Sequence, residues 1–212
     1  MNEKLNHHYS EKEEKLNVLT HAFGLLLSII AFPFLIQKSL NYQGFLNIAS
    51  FWIYGLSLII LYAASTFYHA AKNPKRRRLL NIFDHAAIYI LIAGTYTPIC
   101  LIGLQSKMGW YLFLFVWVIA FIGVILKLFF TGKYNTLSTL LYLLMGWQII
   151  FMIKPLIKNL SSEALAYIFL GGIFYTIGAI LYSLKKLRYN HAIFHVFVVL
   201  GSVCHFIAIE LL

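Results

Sequence analysis

Two histidines four residues apart, His191 and His195, begin the last apolar segment of the chain. On a helix, side chains at positions i and i+4 lie on the same face, so two imidazoles with this spacing can bind one metal ion. The pattern is short and common, and its alternative interpretation is a pair of interfacial histidines that cap an apolar helix. The choice between the two depends on which residues the rest of the chain places beside them.

The composition is that of a protein that spans a membrane several times. Of 212 residues, 61% are hydrophobic and only 11% are charged, whereas a soluble domain carries about 25% charged residues. Apolar runs are long enough to cross a bilayer, which takes about 20 helical residues. The predicted fold class is therefore an all-α integral membrane protein with seven transmembrane helices. They are expected at about residues 17–37, 45–69, 80–104, 110–130, 136–153, 164–184 and 191–212.

The polar stretches between these segments set the predicted domain boundaries. Residues 1–16 are expected to form a polar cytoplasmic tail, and residues 17–212 a single transmembrane domain. Pro74 and Pro155 are expected to end the helices near them, because proline lacks a backbone N–H and clashes with the preceding turn.

Basic residues are distributed unequally between the predicted loops. With the N-terminus in the cytoplasm, 13 of the 17 lysines and arginines fall on the cytoplasmic side and four on the outer side. Because cytoplasmic loops are enriched in Lys and Arg, this count predicts a cytoplasmic N-terminus and a C-terminus outside. The net charge of +10 is then explained by loops that face anionic lipid headgroups, and no aromatic–basic pattern indicates nucleic acid.

The predicted topology brings several ionisable residues to the cytoplasmic side of the bilayer. His69 ends the second segment, and Asp84, the only aspartate in the chain, begins the antiparallel third segment. Ser65 lies one helical turn from His69 on the same face. His191 and His195 begin the seventh segment at the same level. Such polar groups normally face the interior of a helix bundle, since exposure to lipid costs a few kcal/mol.

Three histidines and a carboxylate in one region suit a metal site. Zinc prefers nitrogen ligands, and three protein ligands leave a fourth position for water, as in catalytic zinc sites. Zinc lowers the pKa of that water towards about 7. Asp84 would accept its proton or orient it, and Ser65 would orient the water or donate to a developing oxyanion. Iron and manganese also suit imidazole and carboxylate ligands.

Two structural alternatives stay open for these polar residues. Asp84 could be the N-cap of the third helix, a position that aspartate favours. Ser65 could hydrogen-bond only to the carbonyl four residues earlier in its own helix.

Three other histidines are predicted to support the bundle or the site. His21 begins the first segment at the level of the cluster. His85 adjoins Asp84 but points about 100° away around the helix, which favours an interface or supporting position. His205 lies ten residues beyond His195, about 15 Å deeper, so it is too far to share the ion and is expected to hydrogen-bond within the bundle.

Four blocks of this sequence resemble the bacterial hemolysin III family, within the progestin and adipoQ receptor superfamily. They are EEKLNVLTHAFG from Glu13, YAASTFYHA from Tyr62, DHAAIYILIAGTYTP from Asp84 and HAIFHVFVVLGSVCHF from His191. The blocks follow the family order and extend from about residue 13 to residue 206. The first block adds Glu14 and Asn17 to the residues with a predicted supporting role.

The resemblance implies a seven-helix fold with a cytoplasmic N-terminus and a zinc ion held by three histidines. The family's S-x-x-x-H corresponds to Ser65 and His69, and its H-x-x-x-H corresponds to His191 and His195. Its aspartate corresponds to Asp84, which in related receptors contacts the zinc-bound water.

The superfamily is similar to alkaline ceramidases, whose zinc site hydrolyses a lipid amide. The function we predict is therefore a zinc-dependent hydrolase of a membrane lipid amide or ester that contributes to lipid homeostasis. One alternative is a non-enzymatic membrane sensor or regulator, in which a structural zinc clamps the seventh segment to the second. A pore-forming cytolysin is ranked third, because few polar residues continue a path beyond His205.

Two other seven-helix classes are excluded by the sequence. Retinal proteins need a lysine in the last helix, and residues 191–212 contain none. G-protein-coupled receptors have an outside N-terminus, against the distribution of basic residues. The partners expected are a membrane lipid substrate or ligand and anionic headgroups at the basic loops, and the oligomeric state stays open.

The topology can be tested with single cysteines in a variant whose Cys100 and Cys204 are replaced by serine. In intact cells, a membrane-impermeant maleimide should label Lys107→Cys, in a predicted outer loop. It should label Arg188→Cys, in a predicted cytoplasmic loop, only after permeabilisation. The opposite pattern would show that the charge asymmetry was read in the wrong direction.

Overall fold

A computed structural model describes residues 9–212, and the regular structure in that range is entirely helical. Seven helices in it are long and apolar enough to cross a membrane, which confirms the predicted fold class. They are α1 Glu11–Ser39, α2 Phe45–Ala70, α3 Pro74–Gly103, α4 Lys107–Phe130, α5 Asn135–Asn159, α6 Ser162–Ser183 and α7 Asn190–Glu210.

Two of these spans contain irregular turns. The last turn of α3, Ile99–Gly103, is a π-helix that follows Pro98. Helix α5 is α-helical over Asn135–Trp147, narrows to a 3₁₀ segment over Gln148–Met152, and ends as an α-helix over Ile153–Asn159. The expectation that Pro155 ends this span is wrong. It lies in the first turn of the final α-helical stretch, where a missing N–H leaves no hydrogen bond unmade.

Helix α1 begins at Glu11, earlier than predicted. Ser10 is its N-cap, and the Ser10 side chain accepts a hydrogen bond from the backbone N–H of Glu13. Ser10 and Glu13 form the S-x-x-E pattern that marks a helix start. Residues 11–16, assigned to the tail, are therefore helical, and residues 1–8 of that tail lie outside the described part of the chain.

Helix α3 also begins earlier than predicted, and Pro74 starts it instead of ending a helix. The Asn73 side chain accepts hydrogen bonds from the N–H groups of Lys75 and Arg76, and Pro74 occupies the first helical position. Proline is favoured there because its N–H would have no partner and its φ already suits a helix. Asp84 consequently lies ten residues inside α3, so the interpretation of Asp84 as an N-cap is wrong.

Helix α3 is the centre of the bundle. In its apolar stretch 83% of the residues are buried, against 44% or less in each of the other six spans. One face packs towards α4, α5 and α6 through Tyr89 and Ala93. Another face packs towards α1, α2 and α7 through Ala87 and Leu91. A polar side chain on this helix therefore lies between two apolar cores.

The outer surface of the bundle is apolar, as expected for contact with lipid. Large side chains such as Phe121 of α4 and Phe151 of α5 are mostly exposed. Helix α5 is the least buried span, with 17% of its apolar stretch covered. In water such a surface would favour aggregation, whereas in a bilayer it meets hydrocarbon and has no such cost.

Helices α6 and α7 approach closely because glycines face each other across their interface. A Cβ atom on Gly171 would lie 3.1 Å from the carbonyl oxygen of Gly201 and would clash with the His205 ring. A Cβ atom on Gly201 would lie 2.9 Å from the Tyr175 ring. Small residues at such crossings let helix backbones pack in a membrane. This contact holds α7, and the histidines at its start, against α6.

Replacing Gly171 by alanine should lower the thermal unfolding temperature of the detergent-solubilised protein. The expected cost is about 1–3 kcal/mol, because an added methyl group must push α6 and α7 apart or displace His205. Gly146→Ala is the matched control, since a Cβ atom there meets nothing within 4 Å. Equal unfolding temperatures for the two variants would contradict the close approach.

Candidate metal centre

The three histidines predicted as ligands meet at one end of the bundle. His69 comes from the last turn of α2, and His191 and His195 come from the first turns of α7. One ring nitrogen from each lies within 4.8 Å of the others, and all three residues are buried. The Nε2 atoms of His69 and His191 are 3.1 Å apart. Nitrogens bound to one tetrahedral zinc ion at about 2.0–2.1 Å would be separated by about 3.4 Å, so this spacing fits a shared ion.

The outer nitrogens of two of these rings donate to oxygen acceptors. The Nδ1 atom of His69 is 2.7 Å from Oε2 of Glu14, and Nδ1 of His195 is 3.3 Å from the carbonyl oxygen of Asn17. Since a carboxylate and a carbonyl only accept hydrogen bonds here, the proton lies on Nδ1 and the lone pair on Nε2. Metal-binding histidines are oriented in this way. Lone pairs directed into one small buried space repel each other, and a cation between them relieves that repulsion.

The third ring, His191, is covered from the N-terminal side by Tyr9. The Tyr9 hydroxyl is 3.1 Å from Nδ1 of His191, and the two ring centroids are 4.8 Å apart. Burial raises the pKa of the Tyr9 hydroxyl, so the group stays protonated and uncharged at neutral pH. Its oxygen can accept a hydrogen bond from Nδ1–H of His191, and in that tautomer the Nε2 lone pair of His191 faces the other two histidines.

Helix α1 brings Glu14, Asn17 and His21, three residues with a predicted supporting role, into contact with the cluster. Besides contacting His69, Glu14 forms an ion pair with Arg77 of α3. Asn17 is fully buried and contacts His195 through its backbone. The His21 ring stacks on His195 with centroids 3.4 Å apart and an interplanar angle of 13°. The first turns of α1 thus close one side of the histidine cluster.

Ser65 and Asp84 lie near the cluster without belonging to the three-ligand group. Ser65 is fully buried, one turn before His69 on α2. Its hydroxyl has no hydrogen-bond partner among residues 9–212, so the interpretation that it only bonds to its own helix is wrong. Asp84 faces a cavity of about 170 Å³ that His191 and His195 also line. The roles predicted for these two residues stay predictions.

The cavity extends from the histidines into the apolar centre of the bundle. Its walls come mainly from α3, α5, α6 and α7, and it reaches past Thr95 to Ile99 and His205. At the deep end, Nε2 of His205 donates to the Ile168 carbonyl oxygen at 3.1 Å, which is the bundle contact expected for this residue. His85 lines the cavity near Asp84. The space is lined mainly by apolar side chains, and one of its ends lies at the histidines.

Sequence reasoning missed two residues at this site. From the sequence pattern, Tyr9 belongs to the predicted polar tail and Arg77 to a basic cytoplasmic loop. The helix-start signals at Ser10 and at Asn73–Pro74 could have shown that both residues are fixed by helices that begin earlier.

The fold and the site together define a class of protein: a multi-pass membrane protein with a buried three-histidine cluster that could hold a metal ion. A family model described as "Haemolysin-III related" matches residues 9–206. The chain belongs to that family, as the four sequence blocks predicted.

Relatives in bacteria and animals agree with this assignment. The chain is 44% identical to "Hemolysin-3 homolog" of Bacillus subtilis (strain 168), over 95% of this chain and 94% of the relative. It is 43% identical to "Hemolysin-3" of Bacillus cereus, over 93% and 90%. It is 28% identical to the human "Monocyte to macrophage differentiation factor", over 93% and 83%. No solved structure matches the chain. Together with the seven membrane-spanning helices, these relatives support the conclusion that the chain is a multi-pass bacterial membrane protein.

Removing one histidine should abolish metal binding. The protein purified without chelators should contain about one divalent ion per chain, and His195→Ala should contain less than about a tenth of that, because three ligands become two. Mass spectrometry of the acid-digested protein measures the metal content. His205→Ala is the control: this histidine contacts Ile168 at the deep end of the cavity, and the variant should keep its metal. An equal metal content in wild type and His195→Ala would contradict the site.

Proposed function

We propose that the protein is a zinc-dependent hydrolase that cleaves an amide or ester bond of a membrane lipid and so contributes to lipid homeostasis. One observation carries the proposal: a buried three-histidine cluster adjoins an elongated apolar cavity whose wall holds a single carboxylate, Asp84. His69, His191 and His195 would hold the zinc ion. When bound, zinc polarises a carbonyl group and lowers the pKa of water towards about 7.

The residues of the chain would orient the lipid and move protons. The apolar cavity accommodates an acyl chain and excludes bulk water, which strengthens the electrostatic interactions at its polar end. Asp84 would take a proton from the attacking water and return it to the leaving group. The unpaired hydroxyl of Ser65 would donate to the carbonyl oxygen as it gains negative charge. Glu14 and Asn17 keep the imidazoles oriented throughout.

A second candidate is a sensor or regulator in which zinc has a structural role. It is favoured by the way the cluster ties helices together: the ligands come from α2 and α7, and Glu14 of α1 contacts both His69 and Arg77 of α3. Under this candidate, chelation would loosen the bundle, no lipid would be cleaved, and Asp84 would matter little.

A membrane-lytic activity is the third candidate, and it rests on the names of the two Bacillus relatives. Lysis can follow from overproduction of any protein that disturbs a bilayer. It therefore does not account for a cluster of three histidines with oriented rings.

The test is lipid hydrolysis by Asp84→Asn compared with the wild type. The zinc-loaded wild type should release fatty acid from ceramide or another acyl lipid in detergent micelles, and the variant should be slower by about 10²–10⁴-fold, the usual effect of losing a general acid–base. Its zinc content should be unchanged. Glu163→Gln, a change in the first turn of α6, is the control and should keep full activity.

The outcome separates the candidates. Equal release by wild type and Asp84→Asn would end the hydrolase proposal. Unfolding on chelation without any lipid turnover would support the structural role of zinc.

A further inference from the structure

The histidine cluster has two faces, and the cavity reaches only one of them. His191 and His195 line the cavity, whereas His69 does not. The walls of the cavity are mainly apolar, and a divalent ion that entered along them would lose its water before it gained ligands. The three histidines are buried, and His191, the most accessible of them, is only 7% exposed. A metal ion therefore reaches the cluster only if some part of the protein moves.

The second face of the cluster is covered by Tyr9, which does not line the cavity. The centroid of the Tyr9 ring lies 4.8 Å from that of His191 and 6.0 Å from that of His69. The Tyr9 hydroxyl is 3.1 Å from Nδ1 of His191. Tyr9 is partly exposed, whereas both histidines are buried. Its ring therefore separates the pair of histidines whose Nε2 atoms are 3.1 Å apart from the surroundings of the bundle.

Tyr9 differs from the other aromatic residues around these two histidines because it lies outside the helices. It precedes Ser10, the N-cap of α1. The tyrosine and phenylalanine rings that pack on His69 or His191 from within helices are Tyr68, Tyr182 and Phe194. Moving one of those rings away requires a helix to shift or unwind. The Tyr9 ring can move without breaking any helical hydrogen bond, so it opens at the lowest free energy.

Acidic residues follow Tyr9 directly in the chain. The first turn of α1 contains Glu11, Glu13 and Glu14. They are three of the seven acidic residues in a chain whose net charge is +10. Glu14 is paired with Arg77, whereas Glu11 is exposed and Glu13 is partly exposed. Because negative charge raises the local concentration of cations, the face that Tyr9 covers is the one to which a divalent cation is attracted.

We propose that the Tyr9 side chain is a gate for the metal site, and that a divalent cation enters and leaves past it when the ring moves away from His191. This rests on the metal binding that the proposed function assigns to the cluster. The hydrogen bond to Nδ1 of His191 and the contacts with both histidine rings hold the gate closed. Metal exchange and lipid binding then use opposite faces of the cluster, so a lipid in the cavity does not obstruct the exchange of the ion.

The test is the rate of zinc exchange by the purified protein in neutral detergent. Zinc loss is followed with a chromogenic chelator, at concentrations where the rate no longer depends on the chelator, and zinc uptake is followed after metal removal. Tyr9→Ala should raise both rates by at least about tenfold, because the ring contacts and the hydrogen bond are lost in both directions. The dissociation constant, which is the ratio of the two rates, should change by less than about threefold, since water can replace the hydroxyl at Nδ1 of His191.

Two further variants separate the gate from general packing. Tyr9→Phe keeps the ring and loses only the hydrogen bond, so both rates should rise by about two- to tenfold. Tyr68→Leu is the matched control. It removes a ring that packs on His69 from within α2, with centroids 4.6 Å apart, and should keep the exchange rates of the wild type.

Three results would overturn the proposal. Unchanged exchange rates in Tyr9→Ala would show that the ion enters elsewhere. Faster loss with unchanged uptake would show that Tyr9 only strengthens binding through His191. Equal acceleration by Tyr9→Ala and Tyr68→Leu would indicate a general loosening of the cluster. If Tyr9→Ala does not fold, Tyr9→Phe decides the matter, and wild-type rates in that variant would count against the gate.

The assay also distinguishes the gate from the proposed function. It measures metal exchange, so its outcome does not depend on whether the protein hydrolyses lipids. A wild type that binds no zinc would remove the zinc site and its gate together. Zinc binding by the wild type without any effect of the Tyr9 substitutions would remove the gate alone.

Discussion

The structure depends on one arrangement at the end of the membrane helix bundle: the rings of His69, His191 and His195 are oriented by hydrogen bonds to their outer nitrogens. A histidine among apolar helices is costly unless both of its nitrogens are engaged. Here the outer nitrogens face the Glu14 carboxylate, the Asn17 carbonyl and the Tyr9 hydroxyl. The inner ones converge on a common point. This division of contacts explains why α1 begins with an acidic turn that reaches beyond its apolar stretch.

A second constraint is the central position of α3, which determines where a carboxylate can lie inside the membrane. A carboxylate in the membrane is tolerated only where it is shielded from lipid, and α3 is the helix with the least contact with the outside. Placing Asp84 there puts it on the wall of the cavity, at the end where His191 and His195 lie. The same helix supplies Arg77, which pairs with Glu14. Helix α3 therefore carries both Asp84, which is expected to move protons, and Arg77, which pairs with the carboxylate that orients His69.

Much of the fold and of the histidine cluster could be predicted from the sequence. The remaining features depend on contacts between distant segments of the chain. Hydrophobic runs predicted the seven spans, and the i, i+4 spacing of His191 and His195 predicted a shared face. Short connections make neighbouring helices antiparallel, and this predicted that His69 lies at the same depth in the bilayer as Asp84. The predicted starts of α1 and α3 are too late, because they follow the apolar runs, whereas the capping residues Ser10 and Asn73 mark earlier starts. The contact of Tyr9 with His191, and the burial of Lys127 at the α4–α5 interface, join residues that no local pattern connects.

The weak coverage of α5 has a consequence for how a ligand would reach the cavity. This span forms one wall, is interrupted by a 3₁₀ segment, and turns most of its side chains to the outside. A wall with few packing contacts opens at lower free energy than the interfaces around α3. A hydrocarbon ligand would then exchange sideways with the bilayer and never cross water. Its occupancy would be governed by its mole fraction in the surrounding leaflet, so the composition of the membrane itself would set the saturation of the site.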